Sequence, residues 1–351
     1  MTKDLPSATR TSEARGAEQG PGRKITSPGE KTPAATGSSH SSRPSASRLK
    51  SSSGHWSGAF GRLIDPWLRR SWKADPAALQ KWSALRPAVV VTGASEGIGL
   101  EIARRFAERG LSVVLVARRA DQLEAAVSSI TSACGVDCVA VPMDITSASA
   151  AEALEDELLR HGLYADILVN NAGIGLSGEF ADQEPDHIAS LITLNVRALT
   201  LLMHQFLPAM RIRGSGGVLN VASLGAFAPG PYQAAYYASK AYVLSLTEAV
   251  AWECRGEGVR IAAFAPGPVS TRFHAKMNAD NSAYRWVLPA PSPSAAAGSA
   301  VRWFAWGRTV ITPGIIGPLM AILMRLTPHP ILVPIIAWLL KPRDSAANAG
   351  H

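Results

Sequence analysis

The chain has 351 residues, 47% of them apolar, enough for one large α/β domain with extensions or two modest ones. Its formal charge of +8 is unevenly placed: residues 1–75 hold 13 Lys and Arg against 6 Asp and Glu, the remainder 22 against 21. The main domain is thus near neutral, which argues against a nucleic-acid-binding face on it. Three cysteines without framework spacing, Cys134, Cys138 and Cys254, argue against a disulfide scaffold and suggest reduced thiols. No His or second Cys pair accompanies Cys134 and Cys138, so no metal is expected.

Residues 1–54 are rich in Ser, Thr, Gly, Pro, Lys and Arg and read as a disordered basic tail, because they cannot bury enough surface to offset their ordering entropy. They lack the apolar run of a secretory signal, and Asp4, Glu13, Glu18 and Glu30 fit a transit peptide poorly. From 55 to 86, Trp56, Phe60, Trp67, Trp72 and Trp82 are interleaved with Arg62, Arg69, Arg70 and Lys73. This pattern predicts short amphipathic helices, interrupted at Pro66 and Pro76, that either pack on the main domain or lie on a membrane interface.

The main domain is expected over 87–312. Ala88–Val91 is a short apolar run suited to a buried parallel strand, followed by Thr92-Gly93-Ala94-Ser95-Glu96-Gly97-Ile98-Gly99 and a helical pattern over Leu100–Arg109. A Gly-rich turn between strand and helix is a phosphate cradle, since the backbone approaches a pyrophosphate closely and the helix N-terminus offers free N–H groups. The next strand, Ser112–Ala117, ends without an acidic residue and is followed by Arg118-Arg119. That favours NADP(H), with Arg118 as the 2′-phosphate contact, over NAD(H), which stays open. The charge of Glu96 is a counterweight.

Alternation continues with a helix over Asp121–Ser132, a strand over Asp137–Val141 with Asp144 beyond it, and a helix over Ala150–Arg160. Strand Asp166–Val169 leads into Asn170-Asn171-Ala172-Gly173, a long helix covers Pro185–Arg211, and strand Gly217–Val221 precedes Ser223. Repeated β-α-β predicts an α/β fold: a doubly wound parallel sheet of the Rossmann type with about seven strands. Ligands in such sheets bind beyond the carboxyl ends of the strands, where the Gly-rich turn, Arg118, Asp144, Asn171 and Ser223 all fall.

Tyr236 and Lys240 open the next helix, which runs to about Arg255, and stand one turn apart on one face. A nearby ammonium favours the phenolate and draws the phenol from about pH 10 towards the working range, so the pair reads as an acid/base or as two residues sharing a face. Strand Val259–Phe264, Pro266-Gly267-Pro268-Val269-Ser270-Thr271 and a last strand at Thr309–Thr312 complete the domain.

Thr92–Gly99, Asn170–Gly173, Ser223, Tyr236-x-x-x-Lys240 and Pro266-Gly267 stand in the order and spacing of the short-chain dehydrogenase/reductase family, which this stretch resembles. The resemblance implies that Tyr236 exchanges a proton with a carbonyl or alcohol oxygen. Lys240 would lower the phenol's pKa and hold the nicotinamide ribose, and Ser223 would position the substrate oxygen. Asn195 would hold a water of the proton relay. Gly93, Ser95, Gly97, Ile98 and Gly99 would line the pyrophosphate, and Asp144 would meet the adenine. Asn171 would stabilise the floor beneath the cofactor, with Ala172 and Gly173 also contacting it, while Pro266, Gly267, Val269 and Thr271 would bracket the nicotinamide. Tyr237 is assigned to packing.

The loop Leu224–Ala235 and the stretch Phe273–Pro291 are largely apolar, which suggests a hydrophobic carbonyl or alcohol substrate such as a fatty-acyl, steroid-like or aromatic ketone. Within 313–351, Ile315–Met324 and Ile331–Leu340 are apolar runs too short to span a bilayer. They are expected to pack on the substrate side, form a subunit interface of a homo-oligomer, or lie shallowly in a membrane. The expected setting is the cytoplasm, with contact to the inner face of a membrane as the alternative. The competing function is a catalytically silent dinucleotide sensor or scaffold.

Overall fold

The computed structural model describes residues 76–271, 273, 277 and 290–341, without the side chains of 77 and 78. The expected tail, the amphipathic segment up to residue 75, most of the lid stretch and residues 342–351 lie outside the described residues.

A short helix α1 (Pro76–Gln80) precedes β1 (Arg86–Thr92), α2 (Gly97–Ala107), β2 (Ser112–Ala117), α3 (Ala120–Cys134), β3 (Cys138–Pro142), α4 (Ala150–Arg160) and β4 (Leu163–Asn170). The second half runs α5 (Pro185–Ile192), α6 (Leu199–Arg213), β5 (Gly217–Val221), α7 (Ala234–Glu253), β6 (Arg260–Phe264), α8 (Pro293–Ala305), β7 (Val310–Ile311), α9 (Ile316–Leu326) and α10 (His329–Leu340). The strands form one seven-stranded sheet in the order β3-β2-β1-β4-β5-β6-β7, and every pairing is parallel. The chain reverses its direction of winding between β1 and β4, so this Rossmann-type sheet opens a crevice at the ends of those two strands.

Strand side chains alternate between two core layers. Val89, Val91, Val113, Leu115, Val169 and Leu219 meet α2, α3 and α8 through Ile102, Phe106, Leu123 and Phe304. Ala88, Val90, Val114, Leu168 and Val218 meet α4 and α6 through Leu154, Leu158, Leu202 and Phe206. Burial on both faces explains why these strands are uninterrupted Val/Leu runs. α8, which the hydrophobic pattern does not single out, starts with Ser292 accepting a hydrogen bond from the Ala295 N–H (3.2 Å) and Pro293 in the first turn. Its Ala296, Ala297 and Ala300 let it approach α2 closely, and Phe304 meets Phe106 edge-on at 6.4 Å.

Two differences from the predicted elements have local causes. The single helix expected over 185–211 is interrupted by a wider turn, Thr193–Ala198, between α5 and α6. That i→i+5 widening carries Asn195, whose amide bonds outside the helix. β4 begins at Leu163, three residues before the predicted start, because Arg86 and Pro87 of β1 pair with Leu163 and Tyr164 before the register shifts at Ala88/Val89. Next to Pro87, Trp82 packs on the domain, with the Arg213 guanidinium 5.2 Å above its ring.

Phe304 is buried in the layer joining α8 to α2. Phe304→Ala is expected to lower unfolding free energy by about 3–5 kcal/mol in a denaturant titration, the usual cost of emptying an aromatic site in a core.

Candidate active site

The turn after β1 is fixed by close approach. Gly93 and Gly97 both have φ of 65°, a left-handed conformation that costs a side-chain-bearing residue about 1–2 kcal/mol. Gly99 is required for a different reason: a Cβ there would overlap the side-chain amide of Asn171. That amide donates to the carbonyls of Thr92 (2.9 Å) and Gly93 (3.1 Å), while the Thr92 hydroxyl accepts from the N–H groups of Asn171 (3.0 Å) and Ala172 (3.1 Å). The end of β4 is thereby bolted to the end of β1. Ser95, Ile98, Ala172 and Gly173 line the cleft around this junction.

At one end of the cleft lie Arg118, Arg119, Glu96 and Asp144. Glu96 accepts an ion-paired hydrogen bond from Arg119 (3.1 Å), so the charge expected to oppose a phosphate is balanced within the site. Arg118 is exposed along the same wall. Asp144 accepts from the N–H and hydroxyl of Thr146 (3.0 and 2.8 Å), which hold its carboxyl below the usual carboxylate range.

Tyr236, Lys240 and Ser223 meet where the cleft crosses the ends of β4 and β5. α7 is held on the sheet by a buried polar chain in which Asn170 donates to Asn220 (2.9 Å) and Asn220 to Thr247 of α7 (2.9 Å). Ser223 stands beside the Tyr236 phenol and accepts from the Gly225 N–H (3.1 Å). Lys240 donates to the Val221 carbonyl (2.8 Å), with its Nζ 5.9 Å from the centre of the Tyr236 ring. Burial pushes the phenol up to about 12, against the opposing pull of Ser223, and pulls Lys240 down to about 8. Burial therefore moves the phenol opposite to the lowering that the i,i+4 spacing predicts, with Ser223 as the opposing influence.

Asn195 is completely buried and spends its amide on the chain beyond β4: it accepts from the Ile174 N–H (2.9 Å) and donates to the Ile174 carbonyl (2.8 Å) and to Ser239 of α7 (3.2 Å). Its Oδ1 would sit 3.1 Å from a Cβ at Gly173, and Lys240 Nζ 3.5 Å from it, so glycine keeps that wall open. After β6, the Pro266 carbonyl accepts from the Leu224 N–H (2.8 Å), Val269 is buried, and Gly267 and Thr271 join them along the cleft.

The cleft, about 1530 Å³, holds residues that the motifs do not reveal. Tyr237, assigned to packing from its position on the helix, also lines it: its ring fills the space left by Gly225 and Gly230 and meets Tyr236 edge-on at 6.1 Å. Phe273 lies 5.7 Å from the Tyr236 ring. Met320 and Met324 of α9 and Ile336, Leu339 and Leu340 of α10 complete the apolar end. Apolar composition is the only sequence signal for this wall. Position came from folding.

A profile of the short chain dehydrogenase family matches residues 87–282. A ketoacyl reductase of Nostoc sp. is 36% identical over 182 residues, 52% of this chain and 63% of the relative, so the match spans less than two thirds of that protein. Among solved structures, a short-chain dehydrogenase from Sphingobium yanoikuyae in complex with NADPH is 33% identical with a TM-score of 0.60, over 65% of this chain and 88% of that one. A bulky-bulky ketone specific alcohol dehydrogenase from Comamonas testosteroni is 27% identical with a TM-score of 0.57, over 70% and 96%. With the parallel sheet, the glycine turn and the Ser223–Tyr236–Lys240 grouping in place, the chain belongs to the short chain dehydrogenase family of oxidoreductases.

Proposed function

We propose that this chain interconverts a hydrophobic ketone or aldehyde and its alcohol with NADP(H), Tyr236 exchanging the proton. The observation that carries the reading is the Tyr236 phenol, beside Ser223 and Lys240 in the cleft where the glycine cradle meets the apolar end. The relatives' reported links to ketoacyl reduction, bulky ketones and NADPH support it.

The residues present fit the dinucleotide. The turn Gly93–Glu96 leads directly into α2, whose first N–H groups suit a pyrophosphate, and Arg118 supplies a cation beyond β2 where no carboxylate ends the strand. Lys240 would hold the nicotinamide ribose, and Pro266–Thr271 would flank the nicotinamide. When bound, NADP(H) supplies the hydride chemistry. Ser223 orients the substrate oxygen against the phenol. Tyr236 stays protonated across the neutral range, because burial holds its pKa near 12, and so it begins reduction as a proton donor. Asn195 acts as a positioning residue that ties the β4 loop to α7. The apolar walls from Phe273, Tyr237, Met320 and Ile336 exclude water and select lipophilic substrates.

Three outcomes follow. Tyr236→Phe is expected to cut kcat for reduction of an aromatic or long-chain ketone by about 10²–10⁴-fold while NADPH still binds, as read by steady-state rates beside nicotinamide fluorescence; rates equal to wild type would remove Tyr236 as the donor. Lys240 loses its charge as pH rises through about 8, so NADPH affinity should weaken across that range in wild type, whereas Lys240→Met should bind more weakly and without that pH step. Arg118→Ala should weaken NADPH binding about tenfold, roughly 1.4 kcal/mol, and leave NADH binding nearly unchanged in fluorescence titrations.

A further inference from the structure

α9 and α10 are apolar on two opposite sides. Their inner sides, through Met324, Leu332, Ile336 and Leu340, share a cluster with Ala228 and Tyr237 and, with Met320 and Leu339, form one wall of the cleft. Their outer sides carry a second pair of stripes at helical spacing: Leu319, Ile322 and Leu326 on α9 and Ile331, Ile335 and Trp338 on α10, each at least 50% exposed. Scattered single apolar residues on a surface are ordinary, but six large ones at helical spacing on two helices that share an inner cluster mark a contact surface. No helix among the described residues is long and apolar enough to cross a membrane, so the pair would lie along a surface and not thread through it.

We propose that the outer side of α9 and α10 docks on an anionic lipid surface. Residues 313–341 contain no Asp or Glu, so the segment itself brings no carboxylate against lipid phosphates. Arg325 is balanced by Glu248 at 3.3 Å and lies 5.0 Å above the inner Phe227 ring, so the cation the segment itself presents is the exposed Lys341 at the end of α10. Trp338 supplies the amphipathic ring that favours the headgroup boundary, and residues 1–75 add a surplus of seven basic residues to the same chain. Interfacial helices of this kind bind through buried apolar area together with attraction to anionic headgroups. A wall one helix thick, about 10 Å, then separates the lipid from the cleft. The proposal deepens the reductase reading, on which its functional sense rests, by identifying the substrate as a carbonyl compound dissolved in the bilayer.

The test is sedimentation of the full chain with phosphatidylcholine vesicles containing phosphatidylserine, comparing wild type with the double variant Leu319→Glu/Trp338→Glu. Wild type is expected to sediment with the vesicles, and the variant to lose about tenfold or more in partitioning. No binding by wild type, or equal binding by both, overturns the proposal. So does a wild-type dimer that the variant dissociates without any vesicle binding, because a second copy would then be the occupant. Should the variant fail to fold, amide exchange of the wild type takes its place: slowing over 315–340 on vesicle addition supports the docking, and unchanged exchange overturns it. Neither substituted residue lines the cleft, so turnover of a water-soluble ketone should be unaltered in the variant. Absence of turnover in both proteins would count against the reductase reading alone and leave the vesicle result intact.

Discussion

The amide of Asn171 is the fixed point of this molecule. It spans from β4 to the carbonyls of Thr92 and Gly93, and the fit is so close that position 99 tolerates no side chain. Because β1 and β4 flank the place where the winding reverses, this clamp sets both halves of the cleft in one frame: the cradle on β1 and α2, and the Ile174 loop, which Asn195 joins to α7. The catalytic candidates belong to that frame only indirectly. Tyr236 and Lys240 are placed by the Asn170–Asn220–Thr247 chain and by the Val221 carbonyl, so the sheet edge, and not the helix alone, decides where the phenol points.

Burial decides the electrostatics at that point. A phenol and an amine one turn apart look like a charge pair in which the cation activates the acid. In the folded chain the amine gives its hydrogen bond to a backbone carbonyl, and both groups are removed from water. Desolvation disfavours the charged form of each, raising one pKa and lowering the other. The result is a neutral phenol poised to give a proton and an amine whose charge is sensitive to whatever is bound beside it. Anionic cofactor phosphates or a polarised carbonyl would shift these values, so the acid/base balance belongs to the loaded site.

The parallel sheet was legible in the chain because its strands are buried on both sides, which leaves unbroken runs such as Val113–Val116 between glycines and helical patterns. The candidate site was legible where a residue type is dictated by backbone geometry, as at Gly93 and Gly99, or where reactive groups stand at fixed spacing, as at Tyr236 and Lys240. Other features were not legible, because they arise from contacts between distant segments. Nothing in the local pattern around Asn195 announces a widened turn, since its partner Ile174 lies 21 positions away. The Glu96–Arg119 pair joins two loops, and only their approach turns an apparent repulsion into a balanced site. Tyr237 illustrates the same limit: helix geometry turns it away from its neighbour's role, yet two glycines in the Leu224–Ala235 loop let its ring into the cleft.

The C-terminal helices combine both situations. Their composition announced that they would be buried or docked, but an apolar run does not say which side faces inward. The inward stripe is chosen by what it meets, namely Phe227, Ala228 and Tyr237. Once that side is taken, helices with so few polar residues have no hydrophilic side left to present. The same property that makes α9 and α10 a suitable wall for a water-excluding site therefore obliges their other side to find a cover. A substrate apolar enough to prefer this pocket would itself concentrate in lipid, so one physical preference accounts for both surfaces of the helix pair.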